Sequence, residues 1–229
     1  MEASSMKKIL LVLVACSLFL VAGDTQKNFR AVSIKKAKIL QNGKGKMFCK
    51  VCGMTLPMFY RTNHAAKVNG KEHQYCSIHC MVEEAVKNGT KPIDPQVVDN
   101  TTLKFISAKK AFYVVGSKKP GTMSMVSKYA FGTKQAAQKF KQKFGGKIMS
   151  YTKLEPMVEK NLKKEIAGIR KKQAKQAKMG RKIYNLKCKI TKKRFTNPAL
   201  AKTYIKEHNL CGKLKGKPVQ AVALYLSGR

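Results

Sequence analysis

Six of the seven cysteines fall into spaced pairs, and two of those pairs stand in motifs that could do metal chemistry. Cys49-Lys50-Val51-Cys52-Gly53-Met54 holds two thiols one tight turn apart, with a glycine that gives the backbone room and a thioether beside them. Tyr75-Cys76-Ser77-Ile78-His79-Cys80-Met81 holds two more at a spacing of one helical turn, which sets them on one face of a helix. The four thiols can converge. Met54, Met58, His64, His79 and Met81 crowd the same stretch, and Met123 and Met125 recur in a later Gly121-Thr122-Met123-Ser124-Met125 loop.

Thiolate and thioether are soft donors that select Cu(I) over hard ions, whereas four thiolates alone would suit Zn(II) equally well. The methionines beside the cysteine pairs favour copper, because zinc has little use for a thioether. The candidate donors are Cys49, Cys52, Met54, His64, Cys76, His79, Cys80, Met81, Met123 and Met125. Two other readings stay open. An even set of cysteines outside the cytoplasm is also the pattern of a disulfide framework, and Cys49 with Cys52 could serve a thiol-disulfide oxidoreductase. A redox motif of that kind opens a helix after a strand, yet Gly53 and Pro57 would break a helix here.

Compartment bears on that choice. Lys7-Lys8 and the apolar run 9–22 read as a secretory signal over residues 1–23, so the chain is expected to be exported. Val21-Ala22-Gly23 suits an ordinary signal peptidase, while Leu13-Val14-Ala15-Cys16 has the form of a lipobox that would leave Cys16 lipidated. The formal net charge of +37 would suggest nucleic acid in a cytoplasmic protein. An exported chain meets none, and the lysines instead bias it toward anionic membrane surfaces or acidic partners.

The elements that must position the thiols point to an α+β fold of two small strand-helix units. Residues 65–75, with Asn69-Gly70 at their centre, read as a β-hairpin, and 77–87 as a helix capped by Ser77 and stopped by Asn88-Gly89. Residues 111–115 and 147–151 read as strands around a helix over 133–144 that Gly145-Gly146 ends. A polar leader over 24–46 precedes this metal-binding domain, 47–152. A solvated, lysine-rich connecting helix, 153–179, and a compact helical segment, 180–229, follow it.

With these residues in view, 48–151 resembles the NosL family, copper-binding accessory proteins of nitrous oxide reductase. The match lies in Cys52-Gly53-Met54, Tyr75-Cys76-Ser77, the segment 108–113 followed by Thr122-Met123, and Ala130-Phe131 leading to Gly145-Gly146-Lys147. The resemblance implies a periplasmic protein, often lipid-anchored, that binds Cu(I) and passes it to a reductase maturation system. It points to Cys52 and Met54 as first ligands, with Met123 from the second unit. Cys76-x-x-x-Cys80 departs from the pattern and is similar to the end of TRASH-type heavy-metal domains.

The C-terminal segment bears a likeness to the first and last helices of a small cytochrome c, around 180–188 and 217–226. Cys188-Lys189-Ile190-Thr191-Lys192 lacks the second cysteine and the histidine of the haem motif, so no haem is expected. Cys188 and Cys211 are candidates for a staple, which would stabilise the fold by about 3 kcal/mol. No nucleophile-base arrangement, phosphate-cradling loop or carboxylate pair offers a catalytic reading. The expectation is a non-enzymatic copper carrier with a copper-recipient partner, the alternatives being the oxidoreductase or a structural zinc or disulfide module.

Overall fold

The computed structural model describes residues 28–228; the expected export signal, 1–23, and Cys16 lie outside the described residues. β1 (His64–Val68) and β2 (Lys71–Tyr75) form the expected hairpin, and both turn residues, Asn69 (φ 48°) and Gly70 (φ 74°), take positive φ. That is the backbone a tight two-residue hairpin needs. α1 (Ile78–Lys87) follows, then β3 (Ile93–Val98), which pairs with β1, and β4 (Phe105–Ser107), giving an antiparallel sheet in the order β2-β1-β3-β4.

The second sheet places β5 (Phe112–Val115) between β6 (Lys128–Phe131) and β7 (Lys147–Ser150), again antiparallel. α2 (Lys134–Phe144) connects β6 to β7. Thr133 caps its start by accepting from the Ala136 amide, and Gly145 at φ 74° ends it. A parallel bridge between Asp99 and Ala130 joins the two sheets. The fold class is α+β.

The connecting helix differs from expectation. α3 (Tyr151–Lys187) is 37 residues long, and Leu154, Val158 and Leu162, one turn apart, are buried in the core that holds the thiols. It runs through Gly180 without a break. A Cβ at that position would run into the Ala221 carbonyl, so glycine serves here as a close-packing point rather than as a stop. α4 (Pro198–Glu207) and α5 (Lys217–Ser227) pack against the end of α3 around Tyr184, Ile205, Val222 and Leu226. A Cys188–Cys211 disulfide joins the end of α3 to the loop after α4.

The segment expected as a leader is part of the structure from residue 28 onward. Phe29 packs edge-on against Tyr129. Gln41 is buried, and its Nε2 donates to the carbonyls of Lys46 and Phe48, which fixes the strand of backbone entering the first cysteine pair. Among the described residues no helix is long and apolar enough to cross a membrane.

Candidate metal centre

The first cysteine pair sits on a closed turn. Phe48 and Thr55 form an isolated antiparallel bridge at its base, the Cys49 amide donates to the Met54 carbonyl at 2.8 Å, and the Gly53 amide returns to the Cys49 carbonyl at 2.9 Å. Gly53 takes φ 69°, a conformation that strains any residue with a side chain. Its Cα hydrogen also faces Pro198: a Cβ built there would lie 2.6 Å from the Pro198 Cβ.

The second pair comes from the junction of β2 and α1. Cys76 follows the last residue of β2, Ser77 occupies the N-cap position, and Cys80 lies in the first turn of α1. The Ser77 hydroxyl makes no capping bond; it is buried without a hydrogen-bond partner. Thr62 Oγ1 donates to the Cys76 carbonyl at 2.8 Å, which ties that junction to the loop before β1.

All four sulfurs lie within 4.8 Å of one another. Cys52 Sγ is 3.5 Å from Cys76 Sγ, and Cys76 Sγ is 3.7 Å from Cys80 Sγ. A tetrahedral ion with metal-sulfur bonds of about 2.3 Å would hold its four sulfurs about 3.8 Å apart. The four thiols are free and no more than 3% exposed. They fit a soft tetrahedral ion without rearrangement of the backbone.

Their electrostatics are those of a cluster waiting for a cation. Burial raises the Cys49 thiol, but hydrogen bonds from Cys52, Cys76 and Cys80 outweigh it and hold Cys49 well below the ordinary thiol range. Burial, with bonds to Cys49 and Cys52, pushes Cys76 well up; bonds to the other three thiols, then burial, do the same for Cys80. Cys49 is the thiol that gives up its proton most readily, and a bound cation would displace the protons that Cys76 and Cys80 hold more tightly.

Two groups from the C-terminal helices reach this turn. Lys202 of α4 donates from Nζ to the Gly53 carbonyl at 2.7 Å, and Gln220 of α5 donates from Nε2 to the Cys52 carbonyl at 3.2 Å. Burial pushes Lys202 down to about 8, against the pull of the Cys52 and Cys49 thiolates. Spacing alone gives no sign of either residue: their partners are backbone carbonyls, and Lys202 is one of 48 basic side chains.

The other sequence candidates are placed differently. Met81 is buried in the core that contains the thiols, and Met54 and Met123 pack partly buried against it. Met125 is 87% exposed. His64 is buried, with Nδ1 3.1 Å from the Thr62 carbonyl and Nε2 3.2 Å from the Tyr113 hydroxyl, and its ring stacks on Tyr113. Both ring nitrogens are engaged, which sets His64 among the packing residues. Burial holds its imidazole down to about 4. His79, one residue before Cys80 on α1, is fully buried, with its Nδ1 2.8 Å from Glu165 of α3.

Comparison with known proteins adds the family. The NosL family model matches residues 42–158, about half of the chain. The chain belongs to the NosL family. The match takes in both cysteine pairs and the first part of α3, and leaves α4 and α5 outside the NosL residues. Among solved structures, the copper chaperone NosL from Shewanella denitrificans is similar at 21% identity and a TM-score of 0.39, over 54% of this chain and 94% of that one. A comparison with curated proteins finds no match.

Proposed function

We propose that this NosL-family chain is a periplasmic Cu(I)-binding chaperone that holds copper at Cys49, Cys52, Cys76 and Cys80 and passes it to a recipient in the maturation of nitrous oxide reductase. The observation that carries the reading is the convergence of four free, buried thiols from two separate elements. Membership in the NosL family supports copper as the cargo. Residues 1–23 would export the chain, with Cys16 as an anchor if lipidated, and the lysine-rich surface would favour an anionic membrane face or an acidic recipient. Met54 and Met123, packed on the same core, are the thioethers available for copper during transfer.

A second reading, structural zinc, is favoured by the closure of the site. Four thiols complete a tetrahedron and leave no open position, the pattern of structural zinc. The oxidoreductase reading gains nothing, because Cys49 and Cys52 are buried and Cys52 leads into a left-handed glycine instead of a helix.

Anaerobic titration of residues 24–229 with Cu(I) against a competing chelator, beside a zinc titration and a free-thiol count, tests the proposal. Tight Cu(I) binding that zinc cannot displace supports the carrier. Zinc binding that Cu(I) does not displace supports the structural module and removes copper transport.

A further inference from the structure

α4 and α5 lie outside the residues that match the NosL family, yet both touch the metal-binding turn at consecutive carbonyls, Cys52 and Gly53. The contact is close: Pro198, at the start of α4, fills the space that a Cβ on Gly53 would need. Lys202 is the unusual member. It is 5% exposed, its ammonium meets a carbonyl oxygen and the face of the Phe48 ring (4.9 Å to the centroid), and among the described residues it forms no ion pair with a carboxylate. A buried ammonium whose direct partners are a carbonyl and a ring is costly, and a nearby anion would offset that cost.

The anions at hand are the thiolates. Lys202 bonds the carbonyl of Gly53, the residue directly after Cys52, and Cys49 opens the same closed turn. Four thiolates carry more charge than any monovalent or divalent cation, so the loaded cluster is anionic and buried. It needs a counter-ion, and Lys202 is the buried ammonium on the cysteine turn.

We propose that Lys202 is the counter-ion of the metal-loaded thiolate cluster, so that loading the metal and docking the C-terminal helices onto the cysteine turn are one linked equilibrium. The inference rests on the soft-metal reading of the four thiols. Four thiolates around a monovalent or divalent ion leave net negative charge, and in the loaded protein the lysine that bonds the Gly53 carbonyl faces that charge and holds α4 and α5 down. An open cleft of about 300 Å³ lies beside this seam, lined by Val51, Ala174, Ala177, Pro198 and Leu224. A recipient that pries the helices away would remove the counter-ion and weaken the site at the moment of transfer.

The experiment compares the wild type with Lys202→Met, which keeps the length of the side chain, and Lys202→Arg, which keeps its charge, in the protein spanning residues 24–229. Cu(I) and Zn(II) are titrated against chelators, the metal-free and loaded proteins are melted, and amide exchange is followed in α4. K202M is expected to bind either ion 10- to 100-fold more weakly, to melt metal-free no lower than wild type, and to lose the slowing of α4 exchange that metal gives the wild type; K202R should recover most of the affinity. Equal affinity in K202M, or a metal-free K202M that melts well below wild type or does not fold, overturns the proposal, since the lysine would then be idle or part of the scaffold. A wild type that binds neither ion would sink the soft-metal reading itself, and the counter-ion with it.

Discussion

Cys52 Sγ and Cys76 Sγ lie 3.5 Å apart although 24 residues separate them in sequence, and the whole β1-β2 hairpin is folded between them. The centre is thus a property of tertiary structure: neither cysteine pair alone makes it, and the hairpin register that sets His64 opposite Tyr75 brings the two together. Each half contributes two of the four sulfurs.

Replacement of one thiol tests that division. Cys76→Ser, at the point nearest to both Cys52 and Cys80, should weaken binding of a soft ion by about 100-fold or more, roughly 2.8 kcal/mol. Chelator competition on the purified variant measures it; affinity within a factor of about 3 of wild type would remove Cys76 from the ligand set.

Met54→Leu separates copper from zinc. The exchange nearly conserves volume at a half-buried site, so the metal-free melt should move by less than about 1.5 kcal/mol. Cu(I) affinity should fall while Zn(II) affinity holds, because only copper uses a thioether. Equal effects on both ions would show that Met54 acts by packing.

Gly53→Ala adds a Cβ where φ is 69° and where Pro198 stands 2.6 Å away. Left-handed strain costs about 1–2 kcal/mol before the clash is counted. The expected result is a lower melting temperature, together with faster proteolysis after residue 188, as α4 and α5 are forced off the turn.

The buried imidazole of His64 makes stability fall in acid. Its folded value is depressed from 6.5 to about 4, so it contributes stability that is present above pH 6.5 and lost as pH drops toward 4, about 3 kcal/mol in all. Chemical denaturation of the metal-free protein across that window measures the loss. His64→Gln should flatten the curve, and an unchanged slope would assign the acid sensitivity to other groups.

Much of the frame was legible. Asn69-Gly70 announces a hairpin because few other dipeptides accept two positive φ angles, and the paired cysteines announce a centre because their spacing has few other uses. Other parts were read for the wrong reason or missed. Ser77 marks the start of α1, but its buried hydroxyl caps nothing. The lysines of 153–179 suggest a solvated connector and hide the stripe Leu154, Val158, Leu162, which forms one wall of the core. Gly180 looks like a boundary in sequence, since the neighbour that demands glycine, Ala221, is distant along the chain. Lys202 left no trace, because its meaning comes from a backbone carbonyl that any residue could supply.

The length of α3 has a thermodynamic consequence. One helix of 37 residues supplies Leu154, Val158 and Leu162 to one core and Tyr184 to the other, so the two cores share a spine about 55 Å long. Neither can lose its packing without fraying a helix that the other depends on. Heating should therefore give a single calorimetric peak, with equal calorimetric and van't Hoff enthalpies, where the domain boundaries drawn from sequence would suggest two.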